Sequence, residues 1–416
     1  MALVEVNDAG RPLANMLDAM KTGLVRPQVV DLSYNFITDL GESVAGALEV
    51  NTSITTLNLA YNNIGDINGQ KVANALKGDR IIKTVILKDN SISEGSFVRF
   101  ADCLKHNDTC TELDLSCNIV ADGPAVQLCN SLQFNRALTS LDLSNVRLTE
   151  AGGHAIATAL ATPTVPLRRL SLAFCTLHTS VVAMVESLAN NDCLEELDLR
   201  GNGIRTEAAN KVGIALKDCR MLRKLVLAEN MIKEQASEGF GIGLEANSSL
   251  TYLDLSKNMM FFGGGLRFAE GLQRNNTLQH LILHSSCILL NFLVPLAEAL
   301  KTNCHLQTLD LAKNDVEEVG ARALADALAV NRTLRNLDLS YNTLRDAGAV
   351  AIAEGLKANE GLMELNLEDN HITDLGSANL LHKLPHATLR VLRLGLNEIS
   401  PQNVELVAQK LGGACG

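Results

Sequence analysis

A leucine returns every 28 residues through almost the whole of this chain, from Leu48, Leu76 and Leu104 to Leu328, Leu356 and Leu384, and once more at Leu411. The segment Thr333–Asn359 shows what one period contains. Leu337-Asp338-Leu339 alternates apolar and polar, the mark of a short strand with one buried face. Asn342 follows, with a side chain able to hydrogen-bond the backbone of a tight turn. Ile352 and Leu356 then lie four apart, on one face of a helix. Such a unit cannot bury that face by itself and needs copies on either side. The second strand leucine repeats as regularly, at Leu32, Leu59 and Leu87 through Leu339, Leu367 and Leu394. Of 14 units, 11 place Asn in the turn, and Val146, Cys175 and Ser286 fill the other three places.

The pattern L-x-x-L-x-L-x-x-N at this period resembles the long-repeat class of leucine-rich-repeat proteins, which includes ribonuclease inhibitor, the Ran GTPase-activating protein and the sensor domains of NOD-like receptors. The resemblance runs from Pro27 to Leu411, and Asn in nearly every turn is closer to the last two than to the Cys-alternating first. It implies an α/β fold, a leucine-rich-repeat solenoid of about 14 β-α units of 28 residues. Strands in a ladder stand about 4.8 Å apart, whereas packed helices need 8–10 Å. The strands are therefore expected on the concave face of a horseshoe. No catalytic residue of the Ran activator is carried over.

Residues 1–26 read as an N-terminal tail and capping helix (Leu13–Leu24 over the first strand, Val30–Leu32), and 27–416 as one repeat domain. Residues 1–10 read as loose. The Thr162–Pro166 stretch lengthens one repeat by a residue, where the ladder is expected to kink or open. Arg390 and Arg393 guard the last strand edge, and a helix at Asn403–Leu411 closes the stack.

With 47% apolar residues but only 3% aromatic and no Trp, the core is one of Leu, Ala, Val and Ile. A net charge of −11 argues against nucleic acid or an anionic membrane as the main partner. The start MALVEVNDAG has no basic n-region or apolar h-region. No run of about 18 apolar residues is present to span a bilayer. Ten scattered cysteines read as free thiols in a reducing compartment. Five N-x-S/T sequons, at Asn51, Asn107, Asn247, Asn275 and Asn331, all fall in the helix-to-strand turn, where repeat chemistry explains them without sugar. These features lead to the expectation of a cytoplasmic protein, with association to the cytoskeleton or a cilium as a narrower option.

Several constellations contain residue types capable of chemistry. His280 and His284 share a strand face but stand about 13 Å apart, too far to share an ion. Asp254 and Asp310 are expected to flank Ile282 between them. Gly239–Gly243 lies inside a helix with no Lys-Ser/Thr after it, so it reads as close helix packing rather than a phosphate loop. The Asp of L-D-L at 31, 114, 142, 198, 254, 310 and 338 reads as structural or solvated. Tyr34, Tyr61, Tyr252 and Tyr341, with Phe174, fall on or beside strands and are either interface anchors or tolerated edge residues. Two adjacent turns depart from the pattern: Met259-Met260-Phe261-Phe262 and Cys287-Ile288-Leu289-Leu290. Only Met260 and Ile288 are core positions. Met259, Phe261, Phe262, Leu289 and Leu290 therefore either form an exposed docking patch or fold under the turn with the help of Gly263–Gly265. The expectation is a non-enzymatic interaction scaffold with no cofactor and no metal, binding a protein partner. A small-GTPase regulator and a component of a ciliary axoneme are the rivals.

Overall fold

The computed structural model describes residues 3–5, 21, 22, 24, 26–35, 41–260, 265–383 and 388–410. They fall into two compact units, Met1–Gly203 and Ile204–Gly416. Both are built the same way. In the first, three-residue strands run from Leu3–Glu5 and Val29–Asp31 to Glu196–Asp198, each parallel to the next. In the second they run from Lys224–Val226 to Val391–Arg393, again all parallel. A helix lies between successive strands from Val29–Asp31 onward. The core of each unit lies between the strand ladder and the row of helices.

Register follows from the leucine columns. Leu337 pairs with Leu309 on one side and Leu365 on the other, and all three are buried. A slip by one residue would turn that column to solvent. Each fully buried leucine contributes about 1.5–3 kcal/mol.

A second constraint is polar. Asn342 Nδ2 donates to the carbonyls of Leu311, Leu339 and Ser340 at 3.1, 2.9 and 3.1 Å. Its Oδ1 accepts from the amides of Asn314 and Val316, one repeat back, at 3.1 and 3.0 Å. Asn118 and Asn314 repeat the arrangement. One buried side chain thus satisfies backbone groups of two turns that no strand or helix can serve. The exceptions are graded. Ser286 Oγ reaches the Leu255 and His284 carbonyls at 3.3 and 3.2 Å, and Cys175 Sγ reaches Leu143 O at 3.4 Å. Val146 has no polar atom to offer.

The helix-to-strand turn carries its own asparagines. Asn275 Nδ2 donates to Leu244 O and Asn247 O, while its Oδ1 accepts from the amides of Thr277 and Leu278. Asn107, Asn247 and Asn331 do the same and are at most 5% exposed. Four sequon asparagines thus use, inside the fold, the very amide nitrogen a sugar would need.

Three helices of the second unit pack backbone to backbone. A Cβ on Gly243 would collide with the Gly213 carbonyl, and one on Gly241 with the Arg267 carbonyl. The Gly239–Gly243 stretch is close helix packing, as its position within the repeat implied.

Two expectations need correcting, whereas the terminal helix forms where the sequence placed it. Leu3–Glu5, read as loose, is a strand in register with Val29–Asp31, with Val4 paired to Val30. No turn asparagine follows it, so the period could not reveal it. The ladder stays paired through the lengthened repeat, with Leu141, Leu170 and Leu197 in register. The extra residue is taken up beforehand, in turns closed by Thr162 N to Ala159 O and Val165 N to Thr162 O. The final helix, Pro401–Lys410, leaves Val404 and Leu406 about half exposed. The capping helix Leu13–Leu24 lies almost wholly outside the described residues.

Asn342→Ala should cost about 2–4 kcal/mol in chemical denaturation, since it strands buried backbone groups at about 1–3 kcal/mol each before relaxation. Ser286→Ala, which removes two weaker bonds, should cost clearly less, and equal costs would refute the role given to asparagine. Gly243→Ala should lower stability by about 1–3 kcal/mol through overpacking, although alanine is the better helix former. A higher melting temperature would show that the helices are not in close contact.

Candidate docking surface

Each strand shows its first and third residues on the open face of its ladder. In the second unit the first-position column runs Lys224, Tyr252, His280, Thr308. Lys224 Nζ stands 5.3 Å from the centre of the Tyr252 ring, which tilts against His280 at 6.0 Å. His280 Nδ1 lies 3.0 Å from Thr308 Oγ1. Among the described residues no group of His, Cys, Asp and Glu is arranged to hold a metal ion.

The third-position column carries the carboxylates, and Asp254 and Asp310 do flank Ile282. Their work is local. The Oδ1 of Asp114, Asp254, Asp310 and Asp338 accepts from the backbone amide two residues on, at 2.8–2.9 Å. This turn closes the end of each strand. Burial raises the pKa of Asp114 and Asp310, and the facing carboxylates of Asp142 and Asp338 add to the rise.

Four of the five singled-out aromatics are not on the strands. Tyr34, Tyr61, Phe174 and Tyr341 each occupy the residue before the turn's ladder position, with φ between 56° and 60°. Non-glycine residues rarely take that conformation. Here the ladder hydrogen bond enforces it: the amides of Tyr34 and Phe174 donate to Ala60 O and Arg200 O of the next repeat. The side chains are thereby turned out to the edge. Tyr34 and Tyr61 stack at 4.4 Å with 10° between planes, and the Phe174 ring lies over Gly201, where a Cβ would strike it. Lys313 Nζ stands 4.8 Å from the centre of the Tyr341 ring. Tyr252, on the strand face itself, belongs to a different surface.

The two unusual turns divide as the repeat implied. Met260 and Ile288 are fully buried, whereas Met259 is 53% and Leu290 45% exposed. Leu289 and Cys287 are half-buried. Phe261 and Phe262 lie outside the described residues, as do Gly263 and Gly264.

Leu290 occupies a position that holds a carboxylate in most other repeats, the exceptions being Thr179, Thr206, Phe262 and Pro401. In equivalent places, Asp66 accepts from the amides of Ser93 and Ser96, Asp122 from Thr149, Asp346 from Thr373 and Gly376, and Asp374 from Ser400. Each acid thus caps the first turn of the next repeat's helix, where amides lack intrahelical partners. Leu290 cannot. Between it and the helix Glu318–Leu328 lies instead a groove of about 250 Å³, lined by Leu289, Leu290, Leu293, Asp315, Glu317, Val319 and Gly320. Val319 is 57% exposed. Bare Gly320 leaves room for the Leu293 side chain, which a Cβ there would strike. Asp315, Glu317 and Val319 escaped the sequence reading because they belong to the following turn. The signal was available as an apolar residue in a mostly acidic column.

A family model described as a leucine-rich repeat matches residues 50–73, 190–212, 302–325, 330–353 and 358–380. A comparison with curated proteins finds no match. Among solved structures, a chain of the mouse RP105/MD-1 complex is similar with a TM-score of 0.61 and 19% identity, over 95% of this chain and 64% of that one. A chain of the TLR13–ssRNA13 complex is similar with a TM-score of 0.56 and 18% identity, over 92% of this chain and 55% of that one. At such identities the likeness is one of fold, and this chain spans less than two thirds of either neighbour.

Nine cysteines among the described residues carry free thiols. Burial pushes Cys103, Cys110 and Cys219 up to about 12 and Cys175 to about 11, while Cys304 is exposed. Because the thiolate is the reactive form, a thiol reagent at pH 8 should label Cys304 quickly in the native protein. These four buried residues should react only after unfolding. Native labelling of Cys103 or Cys219 at the Cys304 rate would mean that their helices open locally.

Proposed function

We propose that this leucine-rich-repeat solenoid is a non-enzymatic scaffold that binds a protein partner through the strand faces and through the rim around Leu289 and Leu290. The observation that carries the reading is the rim groove, where apolar side chains stand exposed in a column that is acidic in most other repeats and caps the next helix in several of them. Apolar surface kept at a position of polar repeat chemistry needs a use, and a partner's side chains supply one. The groove's volume lies below the roughly 300–1,000 Å³ of small-molecule pockets. Met259 adds apolar surface one repeat away, and we assign Phe261 and Phe262, from the same turn, to the same site. Tyr252 on the strand face and the edge residues Tyr34, Tyr61, Tyr341 and Phe174 are proposed as further contacts of their own units, since large rings with polar tips make good anchors.

The reading places the protein in a reducing, cytoplasmic setting. It is supported by the buried thiols and by sequon asparagines committed to the fold. Among the described residues no helix is long and apolar enough to cross a membrane.

Replacing Leu290 and Val319 together by Ser tests the rim. Both are half exposed, so the melting temperature should move little. At least one protein captured from native lysate by the wild type should be lost by the variant. An unchanged set of captured proteins would remove the rim from the binding surface. A large drop in stability would show that these side chains serve the core.

A further inference from the structure

Resting on the rim reading, we infer that the groove receives a basic protein segment: a large apolar side chain seated on Leu289, Leu290, Leu293 and Val319, with a Lys or Arg beside it facing Asp315 and Glu317. The argument is one of charge complementarity around an apolar floor. Asp315 and Glu317 are exposed on the groove's wall. Among the described residues neither forms an ion pair, although their neighbour Glu318 is paired with Arg322 at 2.9 Å. Two uncompensated carboxylates beside an apolar cleft repel an acidic segment and attract a cationic one, which sets specificity and encounter rate more than raw affinity. The chain's net charge of −11 acts in the same direction. Arg and Lys carry long apolar stems as well as charge, so such a residue can lie along Val319 and still reach the carboxylates. Among the described residues the amides of Glu317 and Gly320 find no acceptor of the kind that Asp346 gives Thr373 and Gly376. Backbone carbonyls of an incoming segment can take them.

The test selects a random peptide library displayed on phage against the full chain. Selected peptides are then measured by fluorescence anisotropy on the wild type, on Leu290→Ser and on the double variant Asp315→Asn, Glu317→Gln. The expected peptides share a large apolar residue with an adjacent Lys or Arg and lose binding to Leu290→Ser. The double variant should weaken them roughly tenfold, as expected for two partly exposed charge pairs, and should flatten their salt dependence. Peptides that need Leu290 but lack basic residues, or that ignore the double variant, would overturn the basic partner and leave the rim as a docking site. Peptides indifferent to Leu290→Ser, or no selected peptide at all, would overturn the rim reading and this inference with it.

Discussion

The structure depends on one amide side chain, an asparagine that recurs in 11 of the 14 turns. An asparagine carboxamide has two donors and one acceptor oxygen in a rigid plane. In the turn it spans the carbonyls of its own repeat and of the previous one, and its oxygen takes two amides of the previous turn. Strands of three residues are too short to organise a chain by themselves, and the leucine column supplies no direction along the backbone. The carboxamide ties successive turns to one geometry, so that leucines stack at the same height every time. With the ladder fixed, the edge residue before it is driven to positive φ whatever its identity, which is how Tyr34, Phe174 and Lys313 come to share a conformation.

Much of this was legible because it repeats. Leucine columns, turn asparagines and the helix-to-strand asparagines recur at one spacing, and each recurrence tests the last. What was not legible lies in contacts that bridge repeats at other offsets. The strand Leu3–Glu5 had no following turn asparagine to betray it. The aspartates between the strand leucines were readable as structural, but their bond to the amide two residues on was not. Asp66, Asp122, Asp346 and Asp374 cap the helix of the next repeat, 26 to 30 residues later. A reading that compares turns one position at a time finds the acid but not its partner. For the same reason Leu289 and Leu290 were visible as anomalies, while Asp315, Glu317 and Val319 across the groove were not.

The rim thus has a physical origin as well as a location. A solenoid of equivalent repeats offers the same edge many times over, and recognition needs one place where the edge differs. At Leu290 the inter-repeat cap is withdrawn, an apolar floor replaces it and uncompensated carboxylates remain on the wall. The ladder beneath is unaffected, because Ile288 and Asn314 keep their places in it. Frame and variation are therefore separable: residues of the ladder govern stability, and residues of the rim are free to serve binding.

Hydrogen–deuterium exchange on the free protein, resolved to single amides, measures that separation most directly. The amides of Val316, held by Asn342, and of Thr373 and Gly376, held by Asp346, should exchange slowly. Those of Glu317 and Gly320, which face the groove without a capping acid, should exchange far faster. Equal protection at Gly320 and Gly376 would contradict the account, because it would mean that the edge at Leu290 is closed like the one that Asp346 caps.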